Sequence, residues 1–167
     1  MSIQASQVLR QYWKNEYPVD PVVIANELGI RVYTKELDNS VSGYIGRNHE
    51  TKQVEIYVNA NHPLVRQRFT IAHELGHFFL AKDFDKKRES DYISESDERY
   101  MYRRDSLYSS KEERDANQFA AELLMPRKAL EYAIKKYNDK DIKFLATVFQ
   151  VSLDALVYRL RNLGYDI

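Results

Sequence analysis

Apolar residues recur at Ala5, Val8, Leu9, Tyr12 and Trp13 with the spacing of one helical face, and Pro18 then breaks the pattern, which predicts a helix over residues 4–16. Asp20 before Pro21 reads as an N-cap followed by a favoured first helical residue, and Gly29 stands where a C-terminal cap belongs, so a short helix is expected over residues 21–28. Strand-like segments follow at residues 30–36, 42–47 and 53–58. The third sets Val54, Ile56 and Val58 against Glu55 and Tyr57, the alternation of a half-buried strand, and residues 48–52 between the last two read as a hairpin turn. From Pro63 the period becomes helical, with Leu64, Phe69, Ala72, Leu75 and Phe79 available to a core. Residues 82–111 break the rhythm with crowded Lys, Arg, Asp, Glu, Ser and Tyr, and read as a solvated excursion with room for one helix. Helical spacing returns near Glu112 and stops at Pro126, and two or three further helices complete the chain. The order of elements is that of an α+β fold, with a small N-terminal antiparallel or mixed sheet and a helical C-terminal part. It divides into residues 1–126, interrupted by the polar insertion, and a helical segment over residues 127–167.

Composition narrows the chemistry. The 167 residues suit one domain, or one with a small appendage, and 44% hydrophobic against 30% charged residues is the balance of a folded chain. Lys and Arg number 25, as do Asp and Glu, so no global charge draws the molecule to nucleic acid or an anionic membrane. With no cysteine there is neither a disulfide nor a thiolate ligand, and a metal would have to rest on His and carboxylates. No apolar run exceeds four residues, against the roughly 20 of a membrane helix. A cytoplasmic protein without membrane contact is the expectation.

The Pro63 helix contains His73-Glu74-Leu75-Gly76-His77, the HExxH pattern. Imidazoles at i and i+4 share a helix face and can reach one Zn²⁺, with the glutamate between them placed as general base for a water attacking a carbonyl. The chemistry implied is amide hydrolysis. With only 4 His in the chain, two of them in this pattern are a poor match to coincidence, although a satisfied structural pair is the competing reading. A third ligand is needed, and Leu80 and Asp83 occupy the positions at which the longer HExxHxxGxxH pattern carries Gly and His. A carboxylate must therefore serve. Glu113 is the candidate, because Glu113, Ala116, Asn117, Ala120 and Leu124 share one helical face, whose small residues permit close packing against a helix carrying Gly76. A first-turn acid favoured by the helix dipole is its bland alternative, a role that Glu112 and Asp115 fit as well. One turn from Glu113, the Asn117 side-chain oxygen can accept the outer N–H of a ligand histidine.

Residues 68–77 (RFTIAHELGH) and 113–126 (ERDANQFAAELLMP), in this order, resemble the signature of the ImmA/IrrE family of metallopeptidases. Weaker resemblance runs back through Ser42-Gly43-Tyr44-Ile45, the strand ending at Asn59 and residues 21–32, and so covers most of residues 20–126. It implies a zincin-like fold and a gluzincin-type zinc endopeptidase, with one Zn²⁺ held by His73, His77 and Glu113 and Glu74 as base. It also implies a substrate class, a helix-turn-helix repressor, often encoded beside the peptidase on a mobile element. The insertion departs from the simplest family pattern in length and charge, as a lid or a docking element would. It holds Tyr100, Tyr102 and Tyr108, whose hydroxyls are candidates for stabilising the oxyanion, or else contacts pinning a polar loop. His62 is a further oxyanion candidate, set against a simple place at the start of its helix. In zinc peptidases of this architecture the strand beside the motif helix commonly takes up substrate as an added strand, and sequence order nominates residues 53–58, with an ordinary sheet strand as the equal alternative.

Residues 144–160 have a weak helix-turn-helix rhythm, with Gln150 where the turn usually has glycine. Residues 127–167 carry eight basic and five acidic residues, a net of only +3. If the second helix read DNA, Arg159 and Arg161 would make the contacts; a helical cap that packs the core is favoured, and direct nucleic-acid binding is not expected. A second functional reading keeps the fold as a non-catalytic or conditionally active module that captures a repressor, antirepressor-like or toxin-like.

Overall fold

The computed structural model describes residues 4–48, 50–80, 109–137 and 141–167. Helix α1 (Ala5–Tyr12) buries Ala5, Val8 and Leu9. It stops short of the expected residue 16, because Trp13 is extended and Asn15 takes a positive φ of 62°, so the chain has left the helix before Pro18. Helix α2 (Pro21–Glu27) begins as its sequence dictates, with the Asp20 carboxylate accepting from the Val22 N–H at 2.9 Å, and Gly29 at φ 74° follows its end.

Strands β1 (Arg31–Lys35), β2 (Gly43–Arg47) and β3 (Val54–Asn59) form one mixed sheet in the order β1-β3-β2. β3 pairs parallel with β1 and antiparallel with β2, in the register Val32↔Ile56↔Ile45 and Tyr33↔Tyr57↔Tyr44. The pleat sends Ile56 and Ile45 to the core and stacks the three tyrosine rings on the other face, with centroids 5.3 and 5.1 Å apart. β3 is therefore the central strand. Residues 55–58 are paired on both sides and cannot take an added strand, so of the two readings of residues 53–58 the ordinary sheet strand holds and the substrate-binding edge drawn from chain order does not.

Helix α3 (Leu64–Leu80) lies under the sheet and buries Ile71, Ala72 and Leu75 against it. Gly43 marks their closest approach: a Cβ there would meet the Tyr57 carbonyl oxygen at 2.4 Å and Thr70 Cγ2 at 2.7 Å. Helix α4 (Ser110–Leu124) packs along α3, and a Cβ on Gly76 would lie 3.0 Å from Ala116 Cα. Helices α5 (Arg127–Lys136), α6 (Ile142–Phe149) and α7 (Leu153–Asn162) close the core with Leu130, Phe149 and Leu156. The turn between α6 and α7 places Gln150 in the left-handed region, at φ 51° and ψ 49°, the conformation for which glycine is usual. Arg159 points inward. It is buried, its Nε donates to the Met125 carbonyl at 3.2 Å, and its Nη1 meets Glu122 Oε1 at 3.4 Å, so it is not available as a DNA contact. The α+β class, the small N-terminal sheet, the helix bearing HExxH and the helical C-terminal part all stand as expected. Among the described residues, no helix is long and apolar enough to cross a membrane.

Candidate metal centre

Periodicity puts His73 and His77 on one face of α3, and the close α3–α4 contact at Gly76 and Ala116 brings the first turn of α4 opposite them. Ser109 and Glu112 fix where α4 begins. The Ser109 hydroxyl accepts from the Glu112 N–H at 3.3 Å, and Glu112 Oε2 accepts from the Ser109 N–H at 2.8 Å. This S-x-x-E box is visible in the sequence and marks the helix start more exactly than the apolar spacing does.

With Glu112 engaged in the cap, Glu113 turns to the histidines. Its Oε2 is 3.3 Å from His73 Nε2, its Oε1 is 3.1 Å from His77 Nε2, and the two Nε2 atoms are 2.9 Å apart. These separations approach the edge of about 3.3 Å expected between ligands of a tetrahedral zinc with bonds near 2.0–2.1 Å. Among the described residues, His73, His77 and Glu113 form a cluster whose ligand atoms all lie within 4.8 Å of one another. The cluster can coordinate a metal ion.

The ligand states also fit. Asn117 Oδ1 lies 2.9 Å from His73 Nδ1; the carbonyl oxygen can only accept, so that ring nitrogen carries the hydrogen and Nε2 presents its lone pair to the cluster. Burial pushes the His77 imidazole below its ordinary pKa, against the opposing pull of Glu113 and Glu74. In the metal-free chain the rings of His73 and then His77, when protonated, donate from Nε2 and hold the Glu113 carboxyl well below the usual carboxylate range; a metal would take the place of those protons. A neutral imidazole and an ionised carboxylate are the states that bind a metal. Glu74, between the histidines in sequence, is completely buried.

The other predicted residues lie elsewhere. His62 precedes the first turn of α3, eleven residues and about 16 Å of helix axis from His73, and its Nε2 lies 3.0 Å from the Asn39 carbonyl oxygen, so it is not gathered into the cluster. Its part is local, beside Asn59, whose Nδ2 donates to the carbonyls of Leu37, Asp38 and Val41 and so clamps the loop before β2. Sequence reasoning missed this clamp, because a buried asparagine at a strand end carries no signal until the loop is placed. Tyr100, Tyr102 and Tyr108, like most of the 82–111 insertion, lie outside the described residues.

An HExxH helix facing a glutamate-bearing helix, with three ligand atoms converging, defines a metallopeptidase. The sequence model of the Peptidase_M78 family, the IrrE N-terminal-like domain, matches residues 25–161, and the chain belongs to that family. It is similar to Metallopeptidase ImmA of Bacillus subtilis (strain 168), with 27% identity over 142 residues that cover 85% of this chain and 70% of the relative. Its fold is similar to that of a solved structure titled Mycobacterium tuberculosis transcriptional regulator, with a TM-score of 0.62 and 19% identity. That alignment covers 96% of this chain and 46% of the longer one, so the chain spans less than half of that protein.

Proposed function

We propose that the protein is a zinc-dependent endopeptidase that hydrolyses a peptide bond in a specific cytoplasmic regulatory protein, a helix-turn-helix repressor. The observation that carries this reading is the convergence of His73 Nε2, His77 Nε2 and the Glu113 carboxylate, with Glu74 buried alongside. His73, His77 and Glu113 are the residues that would hold the ion. Bound zinc supplies Lewis acidity, which lowers the pKa of water from 15.7 to about 7 and polarises a carbonyl. Glu74 takes the proton of the attacking water and passes it to the leaving amide nitrogen as the C–N bond breaks. Asn117 keeps His73 in the tautomer that offers Nε2, and Gly76 lets α4 come close enough for Glu113 to reach both rings. In this reading residues 1–126 are the catalytic unit and residues 127–167 a helical cap, tied to it by Arg159. The repressor as substrate is supported by the family resemblance of residues 68–77 and 113–126.

The test incubates zinc-loaded protein with helix-turn-helix repressors purified from the same organism, each in turn. The native chain is expected to cut one of them into two fragments. Glu74→Gln should keep about one zinc per chain by elemental analysis yet cut nothing, and Glu113→Ala should lose the metal. A zinc-loaded native chain that binds a repressor and leaves it whole would replace this reading with the capture module.

A further inference from the structure

One face of α5 is basic and aromatic beyond what folding requires. Lys128, Tyr132, Lys135 and Lys136 recur at i, i+4, i+7 and i+8 and share that face, while Ala129, Leu130 and Ala133 are buried on the other. Tyr132 is 57% exposed, and Phe144 at the start of α6 is 37% exposed. The rings are contiguous through a cation: Lys136 Nζ lies 5.7 Å from the Tyr132 centroid and 5.2 Å from that of Tyr137, which meets Phe144 edge-on at 5.1 Å.

Among the described residues, the nearby acids are spoken for. Glu131 pairs with Arg127 at 3.8 Å, and Asp141 caps α6 by accepting from the Phe144 N–H at 2.9 Å. Among the described residues, Lys128, Lys135, Lys136 and Lys143 have no carboxylate partner. Uncompensated positive charge framing exposed rings, on a chain with no net charge, is complementary to a segment bearing carboxylates and apolar side chains. Base stacking suits the patch less well, because Lys136 already lies over both tyrosine rings.

We propose that this face, made by Tyr132, Lys135, Lys136, Tyr137 and Phe144, is a docking site for an acidic, aromatic-containing segment of the protein substrate, away from the bond that is cut. The inference rests on the peptidase reading and deepens it. Glu113 lies in the first turn of α4, and Pro126, which precedes α5, is thirteen residues further on, about 20 Å at the helical rise. A substrate spanning that length needs about six extended residues, so the patch selects a protein over a short peptide.

The test uses the zinc-loaded Glu74→Gln chain, in which binding is read without turnover, and fluorescence anisotropy with a labelled peptide of repeated Asp-Phe-Glu. A Lys-Phe-Lys repeat and oligo(dT) are the comparison probes. The acidic peptide should bind, and Lys135→Glu with Lys136→Glu, or Tyr132→Ala alone, should weaken it about tenfold with thermal melting and zinc content unchanged. Equal binding of the acidic and basic peptides, or variants that bind as the native chain does, would overturn the proposal. So would tighter binding of oligo(dT) at the same salt, or a dimer of the free chain that Tyr132→Ala dissociates, which would give the face to nucleic acid or to a second copy. Peptide binding alongside an uncut repressor sinks only the peptidase reading, and a cut repressor without peptide binding sinks only the patch.

Discussion

Two adjacent glutamates at the start of α4 do different work because a helix turns about 100° between neighbours. Glu112 closes the cap with Ser109, and Glu113, one step round, reaches both histidines. Asn117, one turn on, faces the same cluster and sets the hydrogen on His73. Replacing it by alanine removes the acceptor and frees the ring to rotate. Asn117→Ala is accordingly expected to weaken zinc about 10–100-fold in competition with a chelator, with the fold retained; undiminished affinity would remove Asn117 from the site. The cluster also sets a pH dependence for the metal-free chain. Burial holds the folded pKa of His77 below its unfolded value near 6.5, so on acidification the unfolded chain takes up its proton first. Stability should be level above about pH 6.5 and fall below it. Glu113, also lowered in the folded state, adds a loss of the same sign as the pH falls below its ordinary value near 4.5. Urea midpoints between pH 8 and 4 measure this, and His77→Gln should flatten the first decline; a midpoint that rises on acidification would contradict it.

Between elements, the site depends on how closely α3 and α4 approach. Gly76→Val would put carbon where Ala116 Cα lies 3.0 Å away, and backbone cannot yield as a flexible side chain does. About 1–3 kcal/mol of stability should be lost, together with zinc affinity, because Glu113 would retreat from the histidines. Denaturant titration and chelator competition read the two effects, and loss of stability without loss of affinity would uncouple packing from ligation. At the α6–α7 turn Gln150 holds a left-handed conformation that glycine adopts without strain, so Gln150→Gly should stabilise by about 0.5–1 kcal/mol in the same titration. What could be read from the chain follows from range. The helix period alone places His73 on the face of His77, and the run of small residues places Glu113 opposite them. Strand order had no such local signal: the alternation of Val54, Ile56 and Val58 reports a buried face and is silent on which strands pair with it. The end of α1 was missed for a related reason, since apolar spacing runs on through Trp13 after the backbone has become extended.

At the scale of the molecule, the ligands tie together parts of the chain that sequence keeps apart. His73 and His77 belong to the helix under the sheet, whereas Glu113 belongs to the helix that leads into the C-terminal part, and residues 81–108 separate them. Ion binding therefore joins the two sides of the domain, alongside the apolar α3–α4 contact, the half-buried Arg68 and the buried Arg159. Arg68 donates to the Val19 carbonyl at 2.6 Å and the Gln150 carbonyl at 3.3 Å, and Arg159 donates to that of Met125. Those polar links use none of the three ligands, so the apo chain should stay folded and lose only the share of stability that binding adds. At free zinc a hundredfold above its dissociation constant that share is about 2.7 kcal/mol, equivalent to roughly 5–10 °C in Tm for a domain of this size. Chelation of the native chain is expected to lower Tm by that amount and added zinc to restore it. Glu74→Gln, which keeps every ligand, should respond as the native chain does, and Glu113→Ala should respond much less. If Tm ignores both chelator and zinc, the histidines and Glu113 are a structural hydrogen-bonded cluster, and the peptidase mechanism loses its centre.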